Sequence, residues 1–399
     1  MSERAVQSWE KAKKRHSMRD FARRLWWALD QPDEKGGEEK GVFRSLRLCG
    51  MGAIPGRSTV ELHRKEGRAA VVGTLSCGSA WACPVCAARV RDKRRRELQE
   101  LVARGASGGY RWVFLTGTLK HRRGQSVEQQ RAALQAGWKA MTTGKQSQER
   151  RESGAVLGTV RALEFSMEGP SGPHGHVHAL ALVAPSVKVK DGKGWREARD
   201  DEESDEALAD AMEAMGKRWK DWAEKNMDGL RPSDAHGWKW ELAQSSAAVA
   251  DYVSKVVDGK GWTVAHELTR SDVKRGKEGG LSPMELLAAA IADVEQSGDM
   301  TRFMRFAGFV KATRGMRAIV VSRSLTDLLG KVDERSDEEL AQEPEVLEED
   351  WELVAVITVQ EWRALVWEYG AGTILDAVVR CGKGWRADLA RAGPEKRAA

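Results

Sequence analysis

Two β-rich segments, separated by a loop rich in glycine and proline, restrict the possible folds of this chain more than any other feature of its sequence. TVRALEFSM (159–167) and HVHALALV (176–183) are rich in β-branched and apolar residues, and EGPSGPHG joins them. Segments of this kind form strands, and a loop of this composition closes a hairpin. The sequence therefore predicts an antiparallel sheet that contains these two strands.

The segments on either side of the hairpin predict the fold class. Ser126 as N-cap residue and Gln129 three residues later have the pattern of a capping box at the start of a helix. The remaining predicted elements are strands at 110–121, 238–242 and 316–323 and helices that begin near 205, 246 and 283. This order is not a series of alternating strands and helices. We therefore predict an α+β domain in which helices flank an antiparallel central sheet.

The chain divides into four predicted segments. Residues 1–40 form a basic helix and a linker, and residues 41–105 form a cysteine-rich module of short strands that ends in a basic helix. Residues 106–335 hold the predicted sheet, and residues 336–399 combine an acidic hinge with a small αβ appendage. Strands of the cysteine-rich module are predicted at 42–48, 58–64 and 69–75, and a charged loop is predicted at 188–204.

Charge and hydropathy indicate whether the protein binds nucleic acid, crosses a membrane or is secreted. The net charge of +6 and the pI of about 9.0 permit binding to nucleic acid without requiring it. No stretch approaches the roughly 20 apolar residues that cross a bilayer. The first residues carry charge and lack the apolar core of a signal peptide. We therefore expect a cytoplasmic protein.

A histidine pair lies in the second strand of the hairpin. His176 and His178 are two residues apart, so both side chains face the same side of the sheet. If the hairpin centres near Pro170, Glu164 falls opposite His176, and two imidazoles with one carboxylate suit a divalent metal. Glu168 is the alternative third ligand, and His174 either extends the row behind the ligands or faces DNA. Such a pair on its own would more often be structural.

One of only three tyrosines, Tyr252, lies three residues before Lys255 on a predicted helix, so both share a face. A phenol can attack phosphorus and form a covalent link, and a nearby lysine can stabilise the charge that develops. On its own this tyrosine would more often belong to an apolar helix face.

Four of the five cysteines occur before residue 90: Cys49, Cys77, Cys83 and Cys86. In a reducing compartment, clustered thiols favour a metal over disulfides, and four thiolates suit a tetrahedral structural Zn²⁺. His63 is an alternative for one ligand, and a metal-free turn is the alternative for the whole module. Cys381 is predicted to be a buried packing residue.

Basic residues follow directly after Cys86. The helix that starts at Pro84 carries a cluster whose side chains would contact DNA phosphates and give salt-sensitive affinity. Its members are Arg89, Lys93, Arg94, Arg95 and Arg96. The alternative is a solvated helix face.

Three segments of the sequence resemble the motifs of the HUH endonuclease superfamily and occur in the same order. FLTGTLKH (114–121) looks like its first motif, GPHGHVHALAL (172–182) like its metal-binding motif, and DYVSK (251–255) like its nucleophile motif. The chain is most similar to single-tyrosine rolling-circle plasmid replication initiators. CGSAWACPVCAARVRDKRR (77–95) and FVKATRGMRAIVVSRSL (309–325) are similar to actinobacterial members. The resemblance covers roughly residues 45–335.

The resemblance implies a metal-dependent DNA endonuclease and strand transferase. It would nick a plasmid origin through a 5′-phosphotyrosine at Tyr252, with Mg²⁺ or Mn²⁺ on His176, His178 and Glu164 and with Lys255 assisting. It implies partners as well: the double-stranded origin, its single-stranded nick site, and the host helicase and polymerase.

One position departs from the pattern of the resemblance. Ala248 stands where related initiators often place a glutamate that ends the cycle, so the resemblance leaves termination open. A mobilisation relaxase or single-tyrosine transposase would use the same chemistry. A zinc-dependent DNA-binding regulator would use none of it.

Overall fold

The computed structural model describes residues 3–29, 43–168, 172–243, 280–330, 335–342 and 350–393. Within these ranges the chain is an α+β protein whose sheets are antiparallel. At this level the predicted fold class is confirmed. None of the described helices combines the length and the apolar character that a bilayer span needs.

The described helices differ widely in length. They are α1 (Glu3–Leu29), α2 (Arg44–Leu48), α3 (Pro84–Ser107), α4 (Val127–Thr142), α5 (Lys145–Glu152), α6 (Asp201–Asn226), α7 (Pro283–Ser297), α8 (Thr301–Thr313), α9 (Arg323–Leu329), α10 (Asp337–Gln342), α11 (Val359–Tyr369), α12 (Ala371–Cys381) and α13 (Trp385–Ala392). A short 3-10 helix spans Gly382–Gly384.

The strands of the described residues belong to three sheets. They are β1 (Thr59–Lys65), β2 (Arg68–Val72), β3 (Arg111–Thr118), β4 (Gly158–Ser166), β5 (His174–Val183), β6 (Val189–Asp191), β7 (Gly194–Arg196), β8 (Trp238–Leu242), β9 (Val320–Val321) and β10 (Glu352–Thr358).

One compact unit comprises Met1–Val90, Leu286–Lys311 and Arg335–Ala399. Its sheet has the strand order β10-β1-β2, with Val60 of β1 opposite Ile357 of β10. The predicted cysteine-rich module and the predicted C-terminal appendage therefore share one sheet. The core beside it is built from large apolar side chains: Trp9, Leu62, Trp362, Ile374, Leu375 and Trp385.

The other compact unit comprises Arg91–Glu285 and Ala312–Glu334. Its five-stranded sheet has the order β8-β3-β5-β4-β9, and every neighbouring pair is antiparallel. β4 and β5 form the predicted hairpin, and β5 is the central strand. α4 packs against β5, and α6 packs against β8.

Local sequence signals explain the two helices beside this sheet. The Ser126 hydroxyl accepts a hydrogen bond from Gln129 N, and Gln129 Oε1 accepts one from Ser126 N, so the predicted capping box starts α4. The buried face of α6 includes Leu208, Met212, Met215 and Trp219, each at most 1% exposed. Asp200 caps the helix and accepts from Glu203 N.

Three local predictions were wrong. Residues 42–48 were predicted as a strand, but 44–48 form α2, since buried Phe43 and Leu46 are also at helical spacing and so short a segment is ambiguous. The strand predicted at 316–323 is reduced to β9, because Ser322 already precedes α9. The charged segment predicted as a loop contains the β6–β7 hairpin, whose turn begins at Gly192 with φ +58°.

Some predicted elements cannot be compared. The helix predicted at 246–257 lies outside the described residues, as do residues 31–41 of the predicted linker and 343–349 of the acidic hinge.

Candidate functional site

A row of histidine side chains lies along the central strand β5. The ring centroids of His174 and His176 are 4.4 Å apart, and those of His176 and His178 are 6.1 Å apart. His121, which follows β3, extends the row with a centroid 4.7 Å from that of His174. Because alternate residues of a strand face the same side, the predicted common face of His176 and His178 is confirmed. His121 was not anticipated from the sequence.

Glu164 lies on the neighbouring strand at the predicted register. It is the direct partner of His176 in the β4–β5 pairing. Its carboxylate Oε2 lies 2.7 Å from Nε2 of His178, and the two side chains are only 12% and 8% exposed. A largely buried carboxylate therefore contacts the histidine diagonal to its direct partner. The alternative candidate, Glu168, lies beyond the end of β4.

Two threonines of β3 hold the other nitrogens of the histidine pair. Thr118 Oγ1 lies 2.9 Å from Nδ1 of His176, and Thr116 Oγ1 lies 3.2 Å from Nδ1 of His178. Both pairs are also direct cross-strand partners. When Nδ1–H donates to the hydroxyl, Nε2 keeps its lone pair for a metal. Sequence reasoning missed these threonines, although their alternation in FLTGTLKH is the signal that identifies them.

Gln130 of α4 fixes the start of the histidine strand. Its Oε1 accepts from Gly175 N at 2.9 Å, and its Nε2 donates to Pro173 O at 2.7 Å. The side chain is 5% exposed, so a buried amide satisfies two backbone groups beside His174. Gln130 lies on the buried face of α4 with Val127 and Leu134, whereas its neighbour Gln129 is exposed.

The donor set fits a divalent cation only in part. Two ligand atoms at right angles, each about 2.1 Å from an ion, lie about 3 Å apart, and the His178–Glu164 contact is close to that separation. Within the described residues, however, the atoms of His176, His178 and Glu164 do not all lie within 4.8 Å of one another.

The four cysteines of the N-terminal region converge on one point. In the part of the chain that the structure describes, they are the one group of three or more His, Cys, Asp or Glu side chains whose ligand atoms all lie within 4.8 Å: Cys49, Cys77, Cys83 and Cys86. All four thiols are buried and none forms a disulfide. The sequence prediction that these residues lie together is met by the geometry.

The sulfur separations suit a single tetrahedral ion. Cys49 Sγ lies 3.7 Å from Cys83 Sγ and 3.5 Å from Cys86 Sγ, and Cys77 Sγ lies 3.6 Å from Cys86 Sγ. Zn–S bonds of about 2.3 Å in a tetrahedron place sulfurs about 3.8 Å apart. The backbone N–H of Cys77 donates to Cys49 Sγ at 3.4 Å. The residues present therefore fit a zinc ion.

The thiols of the cluster differ in pKa. Hydrogen bonds from the other three thiols lower the pKa of the Cys49 thiol. The hydrogen bond to Cys49 raises the pKa of Cys77 and of Cys83.

Two other predictions about this region concern His63 and Cys381. His63 Nε2 lies 3.1 Å from Glu61 Oε2, and the histidine is not in the cysteine group, so it does not act as the alternative ligand there. Cys381 is the last residue of α12 and is partly exposed, whereas a buried residue was predicted.

The basic residues after Cys86 lie on α3 and differ in exposure. Arg94 is 6% exposed and pairs with Glu97, whereas Arg96 is 68% exposed and pairs with Asp92. Arg95 also contacts Asp92, and Arg89 donates to the Ala341 carbonyl. Lys93 is partly exposed. The cluster is therefore not a uniform basic surface, and Arg96 is its most exposed member.

The predicted nucleophile cannot be located. Tyr252, Lys255 and Ala248 all lie outside the described residues. Their roles remain predictions from the sequence.

Comparisons with known proteins match the part of the chain that holds three of the four clustered cysteines and the histidine row. Residues 70–193 match the Rep_1 family, described as replication protein. Protein rep of Streptomyces lividans is 27% identical over 321 residues, which cover 69% of this chain and 68% of that protein. The neomycin resistance protein of Streptomyces cyanogenus is 26% identical over 163 residues, 35% of this chain and 37% of that protein. No solved structure gives a significant match.

The matched range contains the features described above. It includes the strands β3, β4 and β5 with the histidine row and Glu164, together with three of the four clustered cysteines. Residues 70–193 are thus similar to the replication protein family Rep_1, and the chain is similar over most of its length to Protein rep of Streptomyces lividans.

Proposed function

We propose that this replication protein initiates rolling-circle replication of a plasmid by nicking one strand of the origin, as an HUH-type enzyme. The observation that carries the proposal is the pair His176 and His178 on the central strand, with Glu164 on the adjacent strand and 2.7 Å from His178. A replication protein whose central strand carries two imidazoles on one face, beside a carboxylate on the adjacent strand, has the donor types that a phosphodiester-cleaving metal requires.

The proposed cation would be Mg²⁺ or Mn²⁺, held by His176, His178 and Glu164. When bound, it would polarise the scissile phosphate and stabilise the charge that develops there. The Thr116 and Thr118 hydroxyls would accept hydrogen bonds from Nδ1 of the two rings, which would leave Nε2 of each ring as the donor atom for the ion.

Tyr252 would perform the covalent step. Its phenolic oxygen attacks phosphorus, a new O–P bond forms, and the bond from phosphorus to the 3′ oxygen breaks. The phenolic proton is lost to solvent, and the leaving 3′ oxygen takes up a proton from water. The products are a 5′-phosphotyrosine and a 3′-OH, and the number of phosphoester bonds is unchanged, so the strand can later be rejoined. Lys255 would stabilise charge at the phosphate.

Three tyrosines give this proposal a matched test. A supercoiled plasmid that carries the origin is incubated with Mn²⁺ and with wild type, Tyr252→Phe, Tyr110→Phe or Tyr369→Phe. We expect wild type, Tyr110→Phe and Tyr369→Phe to convert the plasmid to the open circle and Tyr252→Phe to leave it supercoiled, because only Tyr252→Phe lacks the attacking oxygen. Equal nicking by Tyr252→Phe would exclude Tyr252 as nucleophile. Binding without nicking by wild type would favour a non-catalytic regulator.

A further inference from the structure

The loop that begins with Cys49 is held by side chains from two distant parts of the sequence. Arg23 Nη2 of α1 donates to Cys49 O at 2.7 Å. From α11, Trp362 Nε1 donates to Gly50 O at 2.8 Å, and Arg363 Nε donates to Met51 O at 3.1 Å. Three consecutive carbonyl groups, starting at a clustered cysteine, therefore bind the N-terminal helix and a C-terminal helix.

A buried charged group of α1 lies against the same loop. Arg19, Asp20 and Arg23 are 5%, 4% and 1% exposed. Asp20 Oδ1 accepts from Arg19 Nε at 3.2 Å and lies 2.9 Å from Arg23 Nη1, and its Oδ2 accepts from Ala371 N at 2.6 Å. Burial alone would raise the pKa of Asp20, but Arg19 and Arg23 lower it. The ionised group carries two positive charges and one negative charge, a net charge of +1.

The polar atoms of this group are incompletely paired. Arg19 Nη2 and Arg23 Nε are buried without a hydrogen-bond partner. The Arg19 guanidinium lies on Gly50, where φ is +72° and an added Cβ would be 2.6 Å from Arg19 Cζ. Buried positive charge without full pairing is unfavourable, so a negative neighbour is needed.

The cysteine cluster can supply that negative charge. A divalent ion on four thiolates has a net charge of −2, because four negative charges are offset by two positive ones. Opposite charges attract much more strongly in a protein interior than in water. Arg23 donates to the backbone carbonyl of Cys49, one of the four clustered cysteines, and Arg19 lies against the next residue, Gly50.

We propose that zinc bound by the four cysteines fixes both ends of the chain onto the Cys49 loop, with Arg19 and Arg23 as the counter-charges that couple the ion to α1. The Gly50 and Met51 carbonyls of the same loop bind Trp362 and Arg363, so an ordered loop also fixes α11. Zinc loading thus controls the docking of the N-terminal helix and of the C-terminal αβ element. The inference is independent of the nicking reaction, because none of these residues belongs to the histidine row on β5 or contacts Glu164.

The first test compares the full chain with and without its metal. Hydrogen–deuterium exchange is measured by mass spectrometry on zinc-loaded protein and after chelation. We expect about one zinc per chain, and on its removal at least several-fold faster exchange in residues 15–26 and 359–369, with β4 and β5 unchanged as internal reference. Absence of bound zinc, or equal exchange of both helices in the two states, would overturn the proposal.

The second test separates the counter-charge from helix docking in general. Arg19→Met removes the charge at similar volume. Lys13→Met is the matched control, because Lys13 also ties α1 to α12, through an ion pair of 3.0 Å with Asp376. In competition with a chromogenic chelator, we expect Arg19→Met to weaken zinc binding about 10–100-fold, Arg19→Lys to weaken it less, and Lys13→Met to retain wild-type affinity.

Equal zinc affinity of Arg19→Met and wild type would contradict the proposed coupling. If Arg19→Met does not fold, as judged by circular dichroism, Arg19→Lys and the exchange experiment on the wild-type chain decide the question.

Discussion

At the scale of single residues, the geometry of the candidate site depends on pairs across neighbouring strands. The sequence was sufficient to place Glu164 opposite His176, because the hairpin is short and a symmetric loop fixes its register. It was not sufficient to find His121 or Gln130, because each reaches the site from an element other than the hairpin. Local pattern thus predicts the partners within the hairpin and misses those that tertiary packing brings in.

Thr118 provides a test of how the histidines are oriented. Thr118→Val keeps the β-branched shape but removes the hydroxyl 2.9 Å from His176 Nδ1, so the ring loses its fixed tautomer. We expect the Mn²⁺ concentration that half-saturates nicking to rise about 10–100-fold. The measurement is nicking rate against Mn²⁺ concentration.

The matched control for this variant is Thr143→Val. The Thr143 hydroxyl donates to the Lys139 carbonyl at an exposed helix end, so its loss should leave the Mn²⁺ dependence unchanged. An unchanged Mn²⁺ dependence in Thr118→Val, or an equal shift in both variants, would refute this role of Thr118.

At the scale of elements, periodic patterns predicted long segments better than short ones. α6 and its buried face follow directly from apolar residues at helical spacing over many turns. The five residues of α2 are too few to distinguish a helix from a strand. The β6–β7 hairpin did have a local signal, Asp191 followed by Gly192, but the surrounding charge led to its prediction as a loop.

The helix α3 gives a prediction about DNA binding. Arg96 is 68% exposed, and its surface ion pair with Asp92 competes weakly with a phosphate. We expect Arg96→Gln to reduce the slope of log affinity against log salt concentration for origin DNA by about 0.9, the effect of one lost phosphate contact. Fluorescence anisotropy over a series of salt concentrations measures this slope.

Arg94 on the same helix serves as the matched comparison. Because it is 6% exposed and paired with Glu97, Arg94→Gln should lower the midpoint of urea unfolding and leave the salt slope of folded protein unchanged. A reduced slope in Arg94→Gln and none in Arg96→Gln would reverse this assignment.

At the scale of the whole molecule, pairing between distant segments was the part that the sequence did not reveal. β10 lies in a segment that looked like an appendage, yet it pairs with β1 across almost 300 residues of chain. Such pairing depends on which edge strand of a sheet is available, and the local periodicity of a sequence does not predict which strand will pair there. The convergence of Cys49 with three cysteines 28 to 37 residues away was predictable because metal ligation restricts the residue types.

We propose that Tyr252 attacks a phosphodiester held at the histidine row. The most direct measurement uses a single-stranded oligonucleotide that contains the nick site, incubated with the full chain and Mn²⁺. The covalent adduct is isolated, digested and sequenced by mass spectrometry. We expect a 5′-phosphotyrosine at Tyr252 in the wild-type protein and no adduct in His176→Ala. An adduct on Tyr110, Tyr369 or a residue other than tyrosine, or cleavage without any covalent adduct, would contradict it.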